Sequence, residues 1–365
     1  MNFNRREFGR VVAGGAALAT LPRLGFSQEQ GRKVRYCIVG LGRISMQHFM
    51  PACKMSQYSQ VTALVSGHRD KAEKMAAEYN VPADSIYSYE NYDEIRENKN
   101  IDAVYIALPN SMHAEYTIRA ANALKHILCE KPMATTVKDC QAMIASAKAA
   151  NRKLMIAYRC QYEPVNARAT QLIRDGKIGK IEAIESANGF NEVLGEWRLD
   201  RKLAGGGPLM DVGIYSLNAC RFLTGEEPER IEGYASVIDH DGRFETVEEN
   251  LSWTMKFPSG VVASCATTYG ASMPGFYNVY GSKGTIHMEP AFGYQGLHLK
   301  AQFKGGEPPI DEANTDKDAA QFVIEADYFS NCVMNDKEPK SDGEEGLRDM
   351  QLIAKIYQSA GLKMG

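Results

Sequence analysis

Three short segments hold the residues best suited to chemistry: Gly40-Leu41-Gly42-Arg43-Ile44-Ser45, Glu130-Lys131-Pro132 and Asp211-Val212-Gly213-Ile214-Tyr215. The first follows an apolar run, Val34 to Val39, and opens a helical pattern. In that setting Gly40 permits a tight turn and Gly42 lets the backbone approach a pyrophosphate. The helix N-terminus then offers free N–H groups and the positive end of its dipole to the anion. Ser45 stands where a third glycine is usual, and a small side chain there still allows the helix to pack closely on the strand. A dinucleotide is the expected ligand of Gly40, Leu41, Gly42, Arg43 and Ile44.

The end of the second strand decides which dinucleotide. An acidic side chain there would take the ribose 2′-hydroxyl, but the sequence reads Ser66-Gly67-His68-Arg69-Asp70-Lys71. Ser66, Arg69 and Lys71 suit a 2′-phosphate, and the Arg69 guanidinium can also stack on adenine. NADP is therefore expected, with Asp70 keeping NAD open. Leu108-Pro109-Asn110 ends the fourth strand and Glu130 the fifth, so both belong to the carboxyl edge where such sheets bind ligands. His113 follows the fourth-strand turn, placed either to reach the nicotinamide or to pack the next helix.

Lys131 and Tyr215 form an acid–base pair of the kind hydride chemistry needs. An ammonium beside a carbinol oxygen polarises it and lowers the pKa of a neighbouring acid. A phenol within reach can then exchange the hydroxyl proton while a hydride leaves the same carbon. Asp211 precedes Tyr215 by four residues and so shares its helix face, where it can hold the substrate or orient the phenol. A buried aspartate with a structural partner is the alternative reading.

These residues need a scaffold, and the apolar patterning supplies one. Short β-type runs at Val34 to Val39, Val61 to Val65, Ile86-Tyr87, Asp102 to Leu108, His126 to Cys129 and Lys153 to Ala157 alternate with helical periodicity at Lys71 to Tyr79, His113 to Leu124 and Val137 to Ala150. That alternation predicts an N-terminal doubly wound parallel sheet of the Rossmann type. After Arg159 a helix near Pro164 to Arg174 leads into β-branched and aromatic runs: Ile231 to Asp239, Glu248 to Phe257, Val261 to Tyr269, Tyr277 to Gly281 and Thr285 to Met288. These predict a C-terminal α+β part with a large, mainly antiparallel open sheet. Two closing helices, Asp318 to Asn335 and Glu344 to Ala360, are expected to pack back on the first part. The domain reading is α/β overall: residues 28–158 for the cofactor and 159–365 for substrate and self-association.

The chain of 365 residues, 44% hydrophobic and 24% charged, has ordinary globular composition and is long enough for two cores. A net charge of −3 provides no basic field for a nucleic acid. Eight cysteines include no C-x-x-C pair and the histidines no metal spacing, so no metal is expected and the thiols read as buried and reduced. Arg5-Arg6-Glu7-Phe8 before the weakly apolar run Val11 to Leu21 reads as a twin-arginine signal peptide over residues 1–27, too short for a stable membrane span. A periplasmic protein, exported folded by the twin-arginine machinery, is the expectation.

The glycine loop, Glu130-Lys131-Pro132, Tyr158-Arg159-x-x-Tyr162-x-Pro164 and Asp211-x-Gly213-x-Tyr215 together resemble the family of glucose–fructose oxidoreductase and inositol dehydrogenase, the Gfo/Idh/MocA family. The likeness runs from about Val34 to the C-terminus. Trp197-Arg198-Leu199, Ala204-Gly205-Gly206-Gly207, Tyr215-x-Leu217-Asn218 and Gly225-Glu226-Glu227-Pro228 are similar to its periplasmic glucose–fructose and aldose–aldose branch. The resemblance implies Lys131 and Tyr215 as catalytic, with Asp211, Arg159, Trp197, Arg198 and Tyr294 near the sugar. Tyr162 joins the substrate set on the same ground, and Arg159, Trp197 and Arg198 border the cofactor. A homo-oligomer, dimer or tetramer, built on the open sheet face is implied as well.

Export constrains the mechanism. Free NADP(H) is not expected outside the cytoplasm, so a tightly bound NADP must be reoxidised in place by a second sugar. The resulting ping-pong cycle oxidises an aldose to an aldonolactone and reduces another sugar to an alditol. A conventional sugar, inositol or dihydrodiol dehydrogenase with exchangeable cofactor is the second reading, and a non-catalytic sugar- or nucleotide-sensing protein the third.

Overall fold

In the computed structural model, which describes residues 31–314 and 320–365, the apolar runs of the first half become six parallel strands. They are β1 (Val34–Val39), β2 (Ser59–Val65), β3 (Ile86–Tyr87), β4 (Ala103–Ile106), β5 (His126–Glu130) and β6 (Leu154–Ala157), ordered β3-β2-β1-β4-β5-β6. Every residue of β4 and of β6 is buried, as continuous apolar strands must be when helices cover both faces. The order reverses between β1 and β4, and the crevice beyond their carboxyl ends is where such sheets take ligands. The signal-peptide reading, residues 1–27, lies outside the described residues.

Helices α1 (Met50–Met55), α2 (Arg69–Tyr79), α3 (His113–Asn122) and α4 (Val137–Ala149) cross between these strands. One π-helical turn, Ser45–Phe49, precedes α1. It falls where Pro51 has no N–H to give the regular ladder.

The second half contributes α5 (Pro164–Arg174), β7 (Ile181–Gly189), α6 (Arg201–Ala204), α7 (Ile214–Thr224), β8 (Arg230–Ser236), β9 (Asn250–Lys256), β10 (Val262–Thr268), β11 (Met273–Gly281), β12 (Gly284–Met288), β13 (His298–Phe303) and β14 (Ile310–Ala313). Their order is β14-β13-β12-β11-β7-β10-β9-β8, antiparallel except where β7 and β10 run parallel. The mainly antiparallel open sheet is thus present but larger than the sequence suggested. β7, at its centre, has only Ile181 and Ile184 as large apolar residues among small and polar ones and so shows no continuous apolar signature; hydrogen bonds on both sides hold it. The covered face packs on α7, whose Leu217, Ala219, Cys220 and Leu223 are fully buried.

Helices α8 (Ala320–Met334) and α9 (Gly343–Ser359) return to the first sheet. α8 lies against α1, β1 and β2, with Ser330 Oγ 2.9 Å from the Tyr36 hydroxyl, and α9 packs on α4, β6 and β8, tying the two sheets together. All eight cysteines are free and buried. Among the described residues no helix is long and apolar enough to cross a membrane, and no cluster of His, Cys, Asp and Glu is arranged for a metal.

Candidate active site

At the end of β1 the chain turns through Gly40, whose φ of +95° and closeness to the Ala107 carbonyl leave no place for a side chain. A Cβ there would stand 2.5 Å from that oxygen. Gly42 is different: a Cβ would meet nothing within 4 Å and would project into open space. Ser45, in place of the third glycine, donates its hydroxyl to the Gly40 carbonyl at 2.6 Å and fixes the turn. The cradle is therefore shaped by its neighbours but empty of side chain, as an approaching pyrophosphate requires. Gly40, Leu41, Gly42, Arg43 and Ile44 all line the cleft above it.

Ser66, Gly67, His68 and Lys71 line the same cleft, and Lys71 Nζ donates to the Leu41 carbonyl at 3.1 Å. Arg69 does not line it. Its guanidinium pairs with Glu73 at 2.8 Å on the next turn of α2 and reaches back to the Ile86 carbonyl, so of the two cations expected here only Lys71 lines the cleft. Tyr89, two residues beyond β3, closes this end of the cleft with its ring edge over Gly67. Sequence reasoning overlooked it, although β3 ends at the same sheet edge as Ser66.

Leu108, Pro109 and Asn110 reach the cleft from β4, and the Asn110 amide donates to the Ala204 carbonyl across to the second half. His113 is buried, its ring nitrogens 2.8 Å from the Pro132 carbonyl and 2.9 Å from that of Leu108. Burial lowers its pKa in spite of these two acceptors. The ring works as a tie between the ends of β4 and β5.

Lys131 follows β5 and is joined to Pro132 by a cis peptide. Its ammonium donates to the Asp211 carbonyl at 2.7 Å and to Asp211 Oδ1 at 3.1 Å. The other carboxylate oxygen, Oδ2, accepts from Arg198 Nε and from the Tyr269 hydroxyl, both at 2.9 Å. Burial by itself would raise the Asp211 pKa. The charges of Lys131 and Arg198, with the hydrogen bonds of Lys131 and Tyr269, outweigh it and hold the carboxyl well below the usual range.

Asp211 and Tyr215 both line the cleft, yet the carboxylate does not orient the phenol. Residues Leu209–Gly213 form a π-helical turn, which turns less per residue than an α-helix, and Asp211 faces Lys131 and Arg198 instead. The group that reaches the phenol oxygen is Arg159, with Nη2 3.4 Å away; Lys131 Nζ lies over the ring, 4.7 Å from its centre. Burial raises the Tyr215 pKa and Arg159 opposes it. The expected lowering by an adjacent lysine is thus replaced by a buried phenol that keeps its proton. Arg159 is itself held by the Phe292 and Gly293 carbonyls and by Gln321.

Trp197, Arg198 and Tyr294 complete the wall. The segment before them closes over the glycine loop, where Arg43 Nη2 lies 2.8 Å from both carboxylate oxygens of Glu196. Tyr162, expected near the substrate, is elsewhere. Its hydroxyl pairs with Ser341 Oγ at 2.8 Å and its ring packs against Tyr328 under the Lys340 ammonium, so it serves the seam between α5 and α8. Tyr269 and Gln321 were missed because their role is to brace Asp211 and Arg159, which no local motif signals.

The lining carries five cationic side chains, Arg43, Lys71, Lys131, Arg159 and Arg198, against the carboxylates of Glu130 and Asp211. Such a field suits a polyanion laid along the cleft. At one end it meets a lysine, a phenol and an anchored carboxylate within a few ångströms of one another, a set able to hold a hydroxyl and move its proton.

The chain and its fold have known relatives. Residues 34–158 match the oxidoreductase family GFO_IDH_MocA with an NAD-binding Rossmann fold, and residues 166–287 match the GFO/IDH/MocA C-terminal domain. A D-xylose 1-dehydrogenase [NADP(+)] of Haloarcula marismortui is 33% identical over 334 residues, 90% of this chain and 91% of that protein. The crystal structure of aldose-aldose oxidoreductase from Caulobacter crescentus, complexed with glycerol, is 42% identical with a TM-score of 0.87, covering 90% of this chain and 98% of that one. A levoglucosan dehydrogenase in complex with NADH and levoglucosan, 21% identical with a TM-score of 0.79 over 90% of this chain and 97% of its own, shares the fold.

Proposed function

Because the chain belongs to the Gfo/Idh/MocA family of oxidoreductases, we propose that it is an NADP-dependent sugar oxidoreductase working with a tightly held cofactor. One sugar, an aldose, is oxidised to its aldonolactone, and a second is reduced to an alditol in a ping-pong cycle. The observation that carries the reading is the cluster of Lys131, Asp211 and Tyr215 at the end of the cationic cleft, in a chain 42% identical over nine-tenths of its length to an aldose-aldose oxidoreductase.

The glycine loop fits a pyrophosphate, and Ser66 with Lys71 fits a 2′-phosphate. When bound, the nicotinamide supplies a two-electron acceptor for the hydrogen on the sugar's carbinol carbon and later a donor to the second sugar's carbonyl. The protein's part is to hold the oxygen and move its proton. Lys131 donates to the sugar oxygen while Asp211 fixes the ammonium from behind. Tyr215 exchanges the proton at its phenol oxygen, with Arg159 beside it to stabilise developing negative charge. Trp197 and Tyr294 offer apolar faces to the sugar ring.

The Arg43–Glu196 contact supports a retained cofactor, since it ties the glycine loop to the segment that carries Trp197 and Arg198. The twin-arginine reading of residues 1–27 supports a periplasmic location, where retention matters most. Self-association into a dimer or tetramer is proposed through the open sheet face, where Tyr234 is exposed. A dehydrogenase with exchangeable NADP is the second reading, favoured by the likeness to D-xylose 1-dehydrogenase.

Isotope tracing separates the two. With a donor aldose deuterated at its reacting carbon, a second sugar and no added nucleotide, the two-sugar cycle places the label in the alditol over many turnovers. A single turnover followed by arrest means an exchangeable cofactor.

A further inference from the structure

Arg159 is buried, yet none of the groups it donates to is a carboxylate. Its Nη1 gives hydrogen bonds to Gln321 Oε1 at 2.6 Å, to the Gly293 carbonyl at 3.1 Å and to Cys160 Sγ at 3.5 Å. Nη2 serves the Phe292 carbonyl and, at 3.4 Å, the Tyr215 hydroxyl, while Nε has no partner among the described residues. A buried guanidinium ordinarily sits against an acid, because an unpaired cation taken out of water costs free energy. Arg221, equally buried, follows that rule, with Asp349, Glu345 and Glu227 around it.

Gln321, the second residue of α8, stands where the acid would be. Its amide nitrogen donates to the Tyr294 carbonyl at 2.7 Å and to the Gly293 carbonyl at 3.3 Å, so the amide oxygen is turned onto Arg159 and both ends of the group are used. A glutamate of the same length would accept from the same nitrogen but would bring a full negative charge with it. The guanidinium carbon lies 5.1 Å from the centre of the Tyr215 ring and 4.5 Å from that of Tyr294, a range at which an uncompensated charge acts strongly on the phenol oxygen. The other groups facing that phenol are Cys160, Glu130 of β5, Asp211 of the π turn, Tyr294, and Lys131 over the ring. Asp211 is already engaged by Lys131, Arg198 and Tyr269, and burial raises Glu130. Glu325, one turn beyond Gln321 on α8, feels the charge of Arg159 and is likewise raised by burial.

We propose that Gln321 is a positioning residue: its neutral amide takes the place of a carboxylate beside Arg159 and leaves the guanidinium's charge to act on the Tyr215 phenol oxygen. The proposal rests on the sugar-oxidising reading, in which that oxygen takes the substrate's hydroxyl proton in one half of the cycle and returns it in the other. A cation beside the oxygen favours its deprotonated form, which is the form that accepts the proton. With an acid at position 321 the carboxylate would match the charge, and the phenol would hold its proton more tightly.

Two measurements on the holoenzyme test this. With Tyr215 replaced by difluorotyrosine, fluorine magnetic resonance reads the titration of that phenol without any substrate. Gln321→Glu is expected to raise the midpoint by about one pH unit. Gln321→Met adds no charge and leaves the Phe292 and Gly293 carbonyls holding the guanidinium, so it is expected to move the midpoint less than half as far. Cys160→Asp brings a carboxylate to the same nitrogen from another residue and is expected to act as Gln321→Glu does, so one folded acidic variant suffices. In the half-reaction with an aldose, the rate of nicotinamide reduction is expected to climb with pH along a limb displaced upward by the same amount in the acidic variants, with sugar affinity little changed. An unmoved midpoint in a folded acidic variant, or an equal shift in Gln321→Met, would overturn the proposal. If no sugar reduces the nicotinamide, the sugar reading fails separately, and the fluorine titration still decides whether the amide's neutrality sets the phenol.

Discussion

Arg43 and Glu196, 153 residues apart in sequence, meet with one guanidinium nitrogen 2.8 Å from both carboxylate oxygens. One belongs to the glycine turn after β1 and the other to the segment that carries Trp197 and Arg198. The Arg43 side chain is 69% exposed, so the contact is worth little as a stability term, but it ties the glycine loop to that segment. Glu196→Ala is expected to speed cofactor release roughly two- to fivefold, and the wild type to approach the variant as salt is raised. Nucleotide appearing in a dialysate over time gives the rate.

The two loop glycines should fail differently. Gly42→Val adds atoms to open space, so the protein is expected to fold with unchanged thermal stability when freed of cofactor, while nucleotide binding is lost. Gly40→Ala forces a Cβ against the Ala107 carbonyl at a positive φ, and should lower stability by about 2 kcal/mol or more whether or not nucleotide is present. Calorimetry with and without NADP distinguishes them.

Tyr215→Phe keeps the ring against Phe292 and removes the oxygen beside Arg159. Turnover is expected to fall about 10²- to 10⁴-fold with sugar affinity little changed. Steady-state kinetics showing a rise in KM at unaltered kcat would instead make the phenol a binding group.

Asp211 links the site to acid stability. Its folded pKa lies below the unfolded value of about 3.9, so its contribution is present above that value and is lost as pH falls through the folded one. Asp211→Asn should cost about 3 kcal/mol near neutrality, since it leaves Lys131 and Arg198 without their shared anion, and progressively less below about pH 4. Urea unfolding of both proteins across that range checks the sign.

The first sheet was readable because its strands are buried on both faces and so spell unbroken apolar runs, as in Ala103–Ile106. β7 was not, because its neighbours hold it through backbone bonds and, Ile181 and Ile184 apart, its own residues are small or polar. In the site, residues fixed by strand ends were legible: Gly40, Gly42, Lys131 and Asn110 all follow β-runs and all reach the cleft. Rotamer choice was not. Arg69 and Lys71 differ by two positions on one helix, and Glu73 and the Ile86 carbonyl draw the arginine away. Tyr162 matched a motif, but Ser341, 179 residues later, claims its hydroxyl. The π turn at Leu209–Gly213 likewise changes which neighbour Asp211 meets, and four-residue spacing alone does not reveal it.

The central claim is a cofactor that stays bound and is reduced by sugar. Its most direct test is the absorbance and fluorescence of extensively dialysed protein before and after adding glucose or xylose, with no nucleotide supplied. A reduced-nicotinamide signal of roughly one equivalent per site, erased by a second sugar, is the expected result. A signal that appears only when NADP or NAD is added would contradict retention, and none even then would contradict the sugar assignment itself.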